Sequence, residues 1–99
     1  MKPIETRIYD GNRAREVLEN EVFQAVWTDI EKEWTEAWMN SPARDEAGRE
    51  KLYQYVMTLR KLKAQITTTL ETGKLAESEL MHKQTLADRA KAGLRSWIE

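Results

Sequence analysis

Glu79 and His82 stand three positions apart, the Glu-x-x-His spacing with which one helix can offer a carboxylate and an imidazole to a metal ion. Carboxylate-bridged di-metal bundles use that motif twice and add two further inward-facing Glu residues. This chain holds a single His, so a second copy would have to supply the other motif. His82 also falls at the edge of its apolar stripe. A surface Glu–His pair is the simpler reading, and no metal or other cofactor is expected.

Arg60, Lys61 and Lys63 surround Leu62 with cations, a patch able to touch phosphates. A small regulatory or DNA-packaging accessory role through this basic helix face is the alternative reading. The pI of about 5.9 opposes it, and a solvated helix face explains the same residues. Trp27, Trp34 and Trp38 are the residue type for stacking on bases or sugars, but their helical spacing points to core or interface burial. Glu71-Thr72-Gly73-Lys74 has the end of a phosphate loop without its first glycine or its strand, and is no nucleotide site. Asp29 and Glu33 lie one helical turn apart, with no apolar pocket evident to split their proton affinities. With no Cys and one His, the chain is not expected to be an enzyme or to take a small-molecule substrate.

The strongest pattern belongs to the elements. Leu52, Tyr55, Leu59, Leu62 and Ile66 follow one another at spacings of 3, 4, 3 and 4, a coiled-coil seam that must be covered by another helix. Upstream, Phe23, Trp27, Ile30, Trp34 and Trp38 share one broad stripe with Val22, Val26 and Ala37. Asn40-Ser41-Pro42-Ala43 separates the two. Pro42 suits the first turn of a new helix capped by Ser41; a second reading starts that helix later, at Asp45. The connection is short enough to favour an antiparallel pair.

Ninety-nine residues make one domain at most. Within it, residues 1–11 read as an arm, with a weak strand-like alternation ending in an Asp10-Gly11-Asn12 turn. Helix follows over 12–39 and again over 42–72, where Gly73 is placed as a stop and Thr67-Thr68-Thr69 weaken the last turns. A third helix is expected over 74–97, wetter because Glu79 and Lys83 interrupt its apolar side. Residues 13–39 carry three basic and seven acidic side chains, whereas residues 44–72 carry six basic and four acidic. That asymmetry favours pairing of the first two helices. The net charge is only −1.

The N-terminus has no apolar signal-like run, and no segment approaches the ~18 apolar residues of a membrane span. The absence of Cys excludes disulfides and leaves the redox compartment open.

From Glu33 to Ala76 the chain reads Glu-Trp-x-Glu-Ala-Trp-x-Asn-Ser-Pro-Ala-Arg-Asp, then Gly-Arg-Glu-Lys-Leu-Tyr, then Leu-Glu-Thr-Gly-Lys-Leu-Ala. This run resembles small helical proteins encoded in tailed phages and prophages. The resemblance implies a place among virion-assembly genes, in the host cytoplasm or the virion, and carries over no functional residue.

The sequence thus predicts an all-α protein: an antiparallel hairpin of two long helices plus a third C-terminal helix, a bundle that oligomerisation can complete. Its expected function is non-enzymatic, through self-association or docking on another phage protein. The residues expected to form the core or interface are Phe23, Trp27, Ile30, Trp34 and Trp38 with Leu52, Tyr55, Leu59, Leu62 and Ile66.

Overall fold

The computed structural model describes residues 1–98 and is all-helical. Three helices follow in order: α1 (Ile4–Glu19), α2 (Glu21–Met39) and α3 (Glu46–Ile98). Their boundaries differ from the sequence-based division at three places, each for a physical reason.

The expected arm is instead a helix. Pro3 sits just before α1 with ψ near 154°, and its carbonyl accepts from the Arg7 amide at 3.0 Å. The helix then runs straight through Asp10-Gly11-Asn12, the expected turn. Gly11 costs helix propensity, about 1 kcal/mol relative to Ala. Its position in the fold offsets that cost, because it is buried against α3.

The chain breaks at Asn20, inside the expected first helix. Asn20 adopts φ −65° and ψ 123°, and its side-chain oxygen accepts from the Phe23 amide at 2.9 Å. This is N-capping, which satisfies one donor that the first turn of α2 leaves free.

The third difference is the largest. The expected stop at Gly73 does not occur, and one helix of 53 residues replaces the predicted pair over 42–72 and 74–97. It begins at Glu46, four residues later than the Pro42 start, with the Asp45 carboxylate accepting from the Gly48 amide at 3.0 Å. The threonines do not end it. Thr67 donates to the Lys63 carbonyl at 2.9 Å and Thr69 to the Gln65 carbonyl at 3.0 Å, so their hydroxyls are absorbed within the helix.

Neighbouring side chains show how the helices run. Trp38 lies beside Arg49, Trp34 beside Tyr55, Trp27 beside Lys63, Gly11 beside Gly73 and Arg7 beside Glu79. Numbers rise on one side as they fall on the other, so α1 and α2 both run against α3. The α1–α3 contact is the more extensive.

The result is a rod of 83 × 25 × 18 Å with a radius of gyration of 22.7 Å. A compact chain of this length has about 13 Å. At 1.5 Å per residue, α1 and α2 together cover about 52 Å of the ~80 Å of α3. From Met81 to Trp97 every residue of α3 is exposed. No helix among the described residues is long and apolar enough to cross a membrane.

Candidate functional site

The interior is small. Among the described residues, Ala14, Trp27 and Ala76 are the buried apolar ones, and Gly11 and Gly73 are buried with them. At the α1–α3 crossing the backbones meet directly: a methyl on Gly11 would stand 2.7 Å from the Gly73 Cα. Ala14 and Ala76 extend this small-residue contact. Arg7, whose side chain is largely covered, lies 3.7 Å from the Glu79 carboxylate at its edge.

Trp27 anchors the α2–α3 contact. Its ring lies 5.6 Å from Phe23, its indole N–H donates to the Glu31 carboxylate at 3.0 Å, and the Lys63 ammonium sits 5.5 Å from the ring centre. Phe23, Ile30 and Trp34 are half-buried, as are Leu52, Leu59 and Ile66. Trp34 meets Tyr55 at 5.5 Å. Trp38 is 40% exposed and lies under the Arg49 guanidinium at 4.7 Å. Each tryptophan therefore has its own partner, and the three do not form one stacking platform.

Two members of the predicted seam stand open. Tyr55 is 49% exposed and Leu62 is 53% exposed. Thr35, Trp38, Tyr53, Val56, Met57 and Arg60 line an apolar groove between α2 and α3.

The polar candidates are dispersed. One Glu79 oxygen faces Lys83 at 3.2 Å and the other faces Arg7, so cations occupy the carboxylate that a metal would need. His82 is exposed, and among the described residues no three His, Cys, Asp or Glu side chains converge to hold a metal. Lys63 is engaged by Trp27 and Arg60 borders the groove, while Lys61 is exposed. Glu71 to Lys74 lie inside α3, with no loop to cradle a phosphate. Asp29 and Glu33 are both exposed. The Arg13 guanidinium is raised from its ordinary value by its hydrogen bonds with Tyr9 and then Glu16. An arginine is charged in either case, so no chemistry follows.

What remains is the free end of α3. Met81, Leu86, Leu94 and Trp97 are 51% to 91% exposed there. A signal for this surface lies in the sequence beyond the predicted seam. The 3-and-4 spacing continues without slippage from Ile66 through Thr69, Gly73, Ala76, Leu80, Lys83, Ala87, Ala90 and Leu94 to Trp97. An unbroken heptad needs no stop at Gly73, and it places small residues where another helix can approach closely.

Neither a scan of protein-family models nor searches of curated proteins and solved structures found a match to this chain.

Proposed function

We propose that this protein acts without catalysis, as a helical assembly element that associates through the open face of α3. The observation that carries this reading is the exposed run of heptad positions from Lys83 to Trp97, continuous in register with the covered part of the same helix. Large apolar side chains in such a register are stabilised by a partner helix and otherwise face water. In this reading α2 and the first half of α3 form the antiparallel hairpin, and association completes the bundle. The resemblance of residues 33–76 to small tailed-phage proteins adds virion assembly as the setting.

The test is absolute mass by light scattering across a wide concentration range, for the native chain and for Leu94→Glu. The expected result is a mass above 11.6 kDa for the native chain that falls toward that value in the variant, with helicity retained. A native chain of 11.6 kDa at every concentration would defeat self-association.

A further inference from the structure

We infer that two copies of this chain join by the free ends of α3, packed antiparallel, with Ala87 of each against Trp97 of the other and Ala90 against Leu94. This inference rests on the assembly reading above and names its partner and register.

The fold leaves one stretch of the long heptad open. Gly73 and Ala76 are buried under α1, so no second chain reaches the seam there. Because α1 runs against α3 and Gly11 faces Gly73, Ile4 at the start of α1 falls opposite Leu80; both are half-buried. The residues before Ile4 do not extend this cover. The Lys2 carbonyl accepts from the Arg7 guanidinium and the Lys2 ammonium reaches Asp10, each at 2.9 Å, so the chain start folds back along α1. Past Leu80 the same seam continues uncovered through Lys83, Ala87, Ala90, Leu94 and Trp97. A helix laid there antiparallel to α3 prolongs the line of α1.

The free end carries its own complement, which argues for a second copy. Two small seam residues, Ala87 and Ala90, are followed by two large ones, Leu94 and Trp97, which are 63% and 91% exposed. Turned end for end, a second copy brings its large pair onto the small pair of the first. There is also surface to spare. The chain exposes 8207 Å², whereas a compact protein of this mass exposes about 5,800 Å². The surplus exceeds the ~800 Å² that each partner of a standard interface hides.

The end of α1 selects the register. In antiparallel coiled coils the two kinds of seam position alternate across the contact, so few alignments are allowed. A longer overlap would set Trp97 on Leu80, where Ile4 already lies. A shorter one would join only Leu94 and Trp97, large against large. The alignment between them pairs Ala87 with Trp97 and Ala90 with Leu94, with its two-fold axis at the level of Ala92. Both free ends are then covered at once, and the assembly closes as a dimer. Gly93 lies beside that axis, on the flank of the seam, with open space around it in the single chain. A glycine there costs helix propensity, but like Gly11 and Gly73 it lets two backbones come close.

Charge opposes this pairing only weakly. Residues 86–97 carry Arg89, Lys91 and Arg95 against Asp88, for a net +2. Asp88 of each copy falls level with Arg95 of the other, and on the helical wheel Arg89 lies away from the seam. The repulsion that remains, chiefly Lys91 against its counterpart near the axis, is between exposed charges that salt screens.

The chain has no cysteine, so a single introduced one carries a nitroxide spin label cleanly. Thr85 and Ser96 are exposed and lie on the side of α3 away from the seam. At 1.5 Å per residue, the two labels of a Ser96→Cys dimer stand about 12 Å apart along the axis, and those of a Thr85→Cys dimer about 21 Å. Pulsed electron-resonance distances should therefore be shorter for Ser96→Cys than for Thr85→Cys, with circular dichroism checking that helicity is kept. Equal distances would mean parallel free ends, and the reverse order would mean that Trp97 overlaps Leu80. Either result overturns this register and leaves the assembly reading standing, as does a mass above 11.6 kDa with no measurable distance in either variant. A native chain of 11.6 kDa at every concentration would overturn both.

Discussion

Gly11 of α1 and Gly73 of α3 meet with nothing between their backbones: a Cβ on Gly73 would lie 2.7 Å from the Gly11 Cα and 2.9 Å from the Arg7 carbonyl oxygen. Each glycine sits in mid-helix, where alanine would ordinarily be preferred by about 1 kcal/mol. The contact reverses that preference, because backbone atoms cannot rotate away as a side chain can.

Gly73→Ala, and likewise Gly11→Ala, is therefore expected to destabilise the fold, by about 1–3 kcal/mol as overpacking does. Thermal unfolding reads the sign directly. A raised midpoint in either variant would refute the close approach. Gly93, which has open space around it in the single chain, serves as the contrast: Gly93→Ala should leave the chain's intrinsic helicity equal or higher.

Among the described residues, Trp27 is the one large side chain that is buried. Trp27→Ala removes the ring that Phe23, Lys63 and Glu31 all contact, at a cost of about 3–5 kcal/mol. In a core this small, that loss should free α2 from α3 while α1 stays docked at the glycine crossing. Hydrogen exchange resolved by segment checks it: equal loss of protection in α1 and α2 would show that the chain unfolds as one unit instead.

Glu79→Gln is expected to change stability by less than ~1 kcal/mol, since its carboxylate is 45% exposed and water screens the Arg7 and Lys83 pairs. Arg7→Ala should cost more, because its covered stem packs against α3 as well as carrying charge. A comparison of denaturation midpoints decides between the two. A larger loss from Glu79→Gln would mean that the ion pair, and not the stem, holds this edge.

Association should strengthen as salt rises, because the two free ends carry net charge of the same sign. Sedimentation or light scattering at about 50 mM and about 500 mM salt, below and near the ionic strength at which surface pairs are largely screened, gives the sign. Weaker association at high salt would point to the basic free end meeting an acidic surface, such as α2 of another copy, instead.

The sequence by itself determined that the chain is helical and where its main seam begins. The stripe from Phe23 to Trp38 and the spacing of Leu52, Tyr55, Leu59, Leu62 and Ile66 depend on local periodicity, which one strand of sequence contains in full. It also held the connection after Met39 and the later start at Asp45, since capping chemistry is local. The tertiary structure decided the rest. Asp10-Gly11-Asn12 and Gly73 carry turn and stop signals that are correct for isolated segments. Both glycines remain helical because each removes the side chain that would keep the other's backbone away, and the two stand far apart in the sequence. Local propensity cannot register a contact between such distant residues. For the same reason only the folded chain showed which half of the long heptad is covered and which half stands open.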